Sequence, residues 1–209
     1  MKRTAVRIIV LLGFGFAASS ADAVIIFNDG GTHEISTTVY EDIAVYDGPS
    51  GERTLVRLVA GAETDDVAVF QNSRFEMIAG EIEDGTLSLH DHGQAELSGG
   101  RVSDNSMRIF DFSRLIITGG DIGPGFRSYG NSEVFIYGSN FQIDGVPVGY
   151  GPLPVPIGNL TGDLLDGQIQ CSFDIFDDSS ATLVPEPASA IMLALGGVAL
   201  ILRRKAPDA

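Results

Sequence analysis

The middle of the chain repeats itself about every 20 residues, and that period constrains the fold more than any other feature. Residues 67–82 align without gaps on residues 87–102 and 107–122. A further copy, residues 126–141, keeps Asn131, Ser132 and Gly138 with one residue deleted. An earlier copy starts at Ile43, takes residues 47–52 as an inserted loop, and rejoins the frame at Val56, Leu58 and Gly61. Glycines therefore fall at 61, 80, 100, 120 and about 138. Such a period is too short for a propeller blade or a helical hairpin repeat.

Within each unit the apolar residues alternate. Val67 and Val69, Leu87 and Leu89, Met107 and Ile109 share one parity, and Phe75 and Met77, Ala95 and Leu97, Leu115 and Ile117 continue it. Period-two alternation over short runs means half-buried strands. Asn-Ser, His-Gly or Phe-Ser marks one corner of each unit, and Ala-Gly or Gly-Gly marks the next. A third apolar position follows at Ile82, Val102, Ile122 and Phe141. These signs predict an all-β chain wound as a short parallel β-solenoid of about 20-residue rungs stacked ~4.8 Å apart. A β-sandwich is the alternative, but sandwich strands seldom repeat their sequence at a fixed interval.

A solenoid needs caps, because its edge strands would otherwise recruit other chains. Residues 24–35 fit the opening rungs. Past residue 142 the repeat dissolves into a Gly/Pro-rich stretch, then two strand-like runs, 159–165 and 168–175, around an Asp166-Gly167 turn, and a last run at 181–183. This block, 143–183, reads as a C-terminal β cap of the same domain, the repeats occupying 24–142.

Both ends carry targeting signals. Lys2, Arg3 and Arg7 precede an apolar stretch, and Ala21-Asp22-Ala23 supplies a cleavage site, so residues 1–23 read as a secretory signal peptide cut after Ala23. At the other end Val184-Pro185-Glu186-Pro187 precedes a 15-residue apolar run, 188–202, then Arg203, Arg204 and Lys205. As a helix that run spans only ~22 Å, short of a ~30 Å hydrocarbon core, which makes a marginal membrane anchor. The basic trio acts as a stop on the cytoplasmic side. Pro185 and Pro187 keep the approach extended. The Pro-Glu-Pro triplet, Ala-Ser-Ala, Gly-Gly and Arg-Arg together resemble the PEP-CTERM sorting signal of bacterial envelope proteins. The resemblance covers residues 184–209 alone. It implies a membrane-anchored intermediate, an exosortase-type sorting protease as partner, and a Gram-negative, exopolysaccharide-producing host. A plain single-pass anchor is the alternative for the tail.

Stripped of both segments, residues 24–183 hold seven arginines, no lysine and 25 acids, a net charge near −18. Nucleic-acid binding is disfavoured, since phosphate contacts need clustered basic groups. An acidic surface protein is the natural reading. Cys171 is the sole cysteine, which excludes an intrachain disulfide and a cysteine-based metal site.

Stacked units turn sequence columns into surface ladders. Phe70, His90, Phe110 and Tyr129 form one such column, at the parity opposite to the core, and suit contact with the apolar faces of a polysaccharide. The alternative is that these rings pack on one another or fill a corner. His90 and His92 straddle Asp91, an i, i+2 arrangement that would point both rings one way on a strand. No third ligand column lines up, so no metal is expected. Glu63, Asp65, Asp66, Glu83, Asp84 and Asp104 gather at one corner, where solvated turn acids are the simpler reading than calcium. Asp91 and Asp111 fall one rung apart, near the carboxylate spacing of retaining glycosidases, but any acid repeated in a ladder gives that spacing. The sequence thus predicts a non-enzymatic protein without catalytic residues or cofactor, displayed at the cell envelope or released to the extracellular matrix. A polysaccharide-binding module is the alternative, and a small polysaccharide-active enzyme the lower one.

Overall fold

The computed structural model describes residues 23–103, 106–123, 125–153 and 158–186. The expected signal peptide short of Ala23, Asp104, Pro187, the tail helix and Arg203, Arg204 and Lys205 lie outside these residues. Every regular element among those described is a strand, and the strands wind into a solenoid of about five complete turns.

The first turn holds β1 (Val24–Phe27), β2 (Thr32–Ile35) and the bridging Val39. The second holds β3 (Asp42–Val45), β4 (Leu55–Leu58) and β5 (Glu63–Thr64), and the third β6 (Val67–Val69), β7 (Arg74–Met77) and β8 (Glu81–Ile82). In the fourth, β9 (Leu87–Leu89) is followed by β10 (Gln94–Val102), which covers two sides of the coil. The fifth repeats this with β11 (Ser106–Ile109) and β12 (Arg114–Ile122). Each strand pairs in parallel with its counterpart one turn away, in three ladders. The expected frame is met residue for residue: Ile43 pairs Val67, which pairs Leu87, while Val56 pairs Phe75, which pairs Ala95.

Alternation decides what is buried. Successive strand side chains point to opposite faces, so Val69, Leu89 and Ile109 line one inner wall and Met77, Leu97 and Ile117 the next, all fully buried. The corners are made by backbone that most residues avoid. Gln71, Asp91, Asp111 and Asp177 adopt positive φ at one corner, with Gly130 in the same column. Short polar side chains tolerate this region by bonding locally. At the next corner Gly100 and Gly120 have φ of 83° and 93°, and a Cβ on either would stand 2.6 or 2.8 Å from the carbonyl oxygen one turn below. Rungs close enough to hydrogen-bond leave no room there for a side chain.

The sixth turn departs from the frame. β13 (Gly125–Ser128) and the first half of β14 (Glu133–Ile143) stay in their ladders. The chain then leaves the coil through β15 (Val146–Pro147), β16 (Gly151–Pro152) and β17 (Asn159–Leu164), which pair antiparallel. It re-enters in register. In β18 (Gly167–Ile175), Ile169 pairs Ile122 and Phe173 pairs Phe126, and β19 (Ser180–Pro185) lies parallel on β14. The residue stacked on Gly120 is therefore Gly167, at φ 154°, and not Gly138. Likewise Ile169, not Phe141, continues the column of Ile82, Val102 and Ile122. Phe141 is buried, but over Gly138 and Gly162 in the excursion. Thus the block after residue 142 is part antiparallel cover and part further turn of the coil. Its predicted hairpin around Asp166-Gly167 is present.

Candidate functional site

Three surface features collect the side chains capable of chemistry. The first is a ladder of rings at the corner after each first strand. Tyr46, Phe70, His90, Phe110, Tyr129 and Phe176 stack face to face, with centroids 4.6–5.0 Å apart and interplanar angles of 3–11°. That separation is the spacing of paired strands. The column expected from Phe70, His90, Phe110 and Tyr129 exists, and Tyr46 and Phe176 extend it by one turn each way. Phe176 was legible: Phe176-Asp177-Asp178-Ser179 repeats the pattern of Phe110-Asp111-Phe112-Ser113. Phe70, His90, Phe110 and Tyr129 are each half-buried, and their faces lie against one another. They offer solvent their edges.

The second feature runs beside the rings. The Asp111 carboxylate accepts the Asp91 N–H at 3.1 Å, Asp91 accepts the Gln71 N–H at 3.1 Å, and the Gln71 amide oxygen accepts the Asp47 N–H at 2.9 Å. Each side chain satisfies the corner one turn below. Inside the same corner Ser113, Ser132 and Ser179 are buried and donate to the carbonyls of Phe110, Tyr129 and Phe176. Asp91 and Asp111 are thus bound into turns. His90 and His92 do not share a strand face, because the positive φ of Asp91 breaks the alternation. His90 sits in the ring ladder and His92 stacks on Phe112 at 5.4 Å.

The third feature is the acid corner. Glu63 pairs with Glu81 across the third ladder, and Arg101 lies 3.4 Å from Glu81. Glu83 shares a hydrogen bond with the Glu63 carboxyl, and this contact, reinforced by the Glu63 charge, pushes its pKa up to about 7. Among the described residues no three His, Cys, Asp or Glu side chains converge as a metal site would need. On the second ladder's outer face Arg57, Glu76, Arg74 and Glu96 form a chain of ion pairs at 2.6–3.0 Å.

Two hollows lie in the excursion. One, about 300 Å³, is lined by Asn140, Gln142 and Tyr150 among others. The second, about 240 Å³, shares Asn140 and Gln142 and adds Thr161, Asp163, Gln168 and Gln170. Among the described residues Asp163 is the one charged group lining them, and its carboxylate accepts from the Asn140 amide at 2.6 Å. No repeat signal points to them, because they lie where the repeat stops. Cys171 is buried, and desolvation pushes its thiol up to about 12, so it stays an unreactive core group.

The chain matches no known family model, no curated protein and no solved structure.

Proposed function

We propose that this is an exported, non-enzymatic envelope protein, cut after Ala23 and sorted through Val184-Pro185-Glu186-Pro187 by an exosortase-type protease. Before processing it is held in the membrane by the helix of residues 188–202 and stopped by Arg203, Arg204 and Lys205. Its final place is the cell surface or the extracellular matrix, where the solenoid has a structural or surface role. The observation that carries this reading is the use of the repeated polar and aromatic groups. Rings stack on rings, and the carboxylates of Asp91 and Asp111 accept backbone N–H groups, so the repeats build a self-satisfied rod.

The tail supports the sorting part. Val184 and Pro185 are the last residues of β19, paired with Tyr137 and Gly138, so the motif issues directly from the rod. Replacing Pro185 and Glu186 is expected to leave export intact and to trap the protein in the membrane fraction. Unchanged release of that variant would reduce the tail to an ordinary anchor.

Polysaccharide binding is the second reading. The near absence of charge around Asn140 and Gln142, on an otherwise acidic chain, favours a neutral polymer. Exposed Tyr150 has a ring available, and carboxamides pair well with sugar hydroxyls. Pull-down on a panel of polysaccharides separates two sites: loss on Tyr150→Ala places binding in the excursion, and loss on Phe70→Ala, Phe110→Ala, Tyr129→Ala places it on the ring edges. No binding to any polymer leaves the structural role alone.

A further inference from the structure

The two ends of the rod are built differently. At the far end β16 lies antiparallel on β19 and β17 on β18, so antiparallel chain covers much of the last turn. At the near end, among the described residues, β1 pairs on one side only, with β3. Its core side chains show the consequence: Ile25 and Phe27 are half-buried, whereas their partners Ile43 and Val45 are wholly buried. The outward side chains Val24 and Ile26 are 49 % and 57 % exposed.

We propose that a second copy of this chain docks on β1, two-fold related and antiparallel, to join two rods end to end. The backbone is poised for it. The Phe27 carbonyl accepts the N–H of Tyr46. Alternation then turns the N–H and C=O of Val24 and Ile26 to the open side. With the axis at Ile25, Val24 of each copy meets Ile26 of the other as a hydrogen-bonded pair. All the donors and acceptors that face outward from these residues are satisfied at once. The same register sets Val24 beside Ile26 on one face, covering both exposed side chains, and Ile25 against its own copy on the other.

Composition points to this occupant. Val24, Ile25, Ile26 and Phe27 have no charged side chain, in a chain of net charge −15. Such an edge lacks the lysines, prolines or inward charges that keep strands from pairing. A two-fold contact is self-complementary by construction, and a strip free of charged side chains lets a like-charged copy approach without close side-chain repulsion. The inference rests on the proposed cut after Ala23, which makes Val24 the mature N-terminus and leaves the edge open.

The test uses the exported, processed protein. Mass spectrometry reads its N-terminus and sedimentation velocity its association. The expected result is an N-terminus at Val24 and a reversible dimer that tightens with added salt as repulsion is screened. Ile26→Lys and Val24→Lys, both at exposed positions, are each expected to weaken the dimer about 10- to 100-fold, because the two-fold axis then sets a charged lysine against an apolar side chain twice per dimer. Their circular dichroism should not change. Ile25→Cys is expected to form a disulfide-linked dimer, since a non-hydrogen-bonded pair on the axis brings Cα atoms to about 4.5 Å. A monomer beginning at Val24 overturns the docking, as does a dimer that both lysine variants leave intact. An N-terminus upstream of Ala23 overturns the cleavage site on which the docking rests.

Discussion

The first five turns and the excursion of residues 138–168 share one core but build different surfaces. In the turns each outward group has a register partner ~4.8 Å away on the next turn, so rings meet rings, acids meet corners and arginines meet glutamates. In the excursion each group has a unique neighbour. Asn140 bonds Asp163, Asp144 accepts the Asn159 N–H, and Phe141 covers two glycines. Repetition consumes functional groups in holding the rod together. The two hollows described lie beside the excursion, where the backbone bends to a shape that one turn does not impose on the next.

The sharpest way to break that contrast is to ask whether the returning strands belong to the rod. Phe126 and Phe173 are both fully buried and stack at 4.1 Å. If β18 completes the coil, Phe126→Ala and Phe173→Ala should each cost about 3–5 kcal/mol and preserve a single unfolding transition. A Phe173→Ala variant that melts in two steps would make the segment after residue 142 a detachable cap.

Glycines give a smaller and more local comparison. Gly120, in the turns, has positive φ and no space for a Cβ, whereas Gly145, in the excursion, has φ 78° with nothing within 4 Å. Gly145→Ala should cost about 1 kcal/mol of backbone strain, and Gly120→Ala clearly more, since the rungs must also part. Equal costs in chemical denaturation would show that close rung packing adds nothing to conformational strain.

The smallest effect concerns pH. Stacking places like charges a turn apart, and Glu83 has its pKa raised from 4.5 to about 7 by Glu63. The folded state then holds a proton that the unfolded chain releases at lower pH. This contribution is full below pH 4.5 and is lost as pH rises through about 7. Glu83→Gln should flatten that part of the stability profile in melting curves taken from pH 4 to pH 8. Because Glu83 is exposed, the change should be slight and should shrink with salt. An unaltered profile would dismiss the shared proton.

Much of the rod was legible in the residues. The alternation of Leu97 and Ile117 with their neighbours marked them as core, and the inserted loop before Val56 did not hide the second turn. Past Ile136 the frame misleads. Gly138 and Phe141 occupy the right sequence positions, yet Gly167 and Ile169 occupy the right places in space. A one-dimensional repeat cannot reveal that the chain departs, closes an antiparallel detour and returns in register, because the pairing depends on residues far apart along the chain.

By itself the sequence determined the period, the strand parity, the glycine-lined corner and the identity of the rings that share a column. These follow from local backbone sterics and from alternation, which act over a few residues. Only the tertiary structure decided that those rings meet face to face, that Asp91 and Asp111 bond the corner one turn below, and that β1 is left half-paired among the described residues. Each of these depends on the stacking distance between turns and on which edges a neighbour covers, quantities set when the whole coil closes.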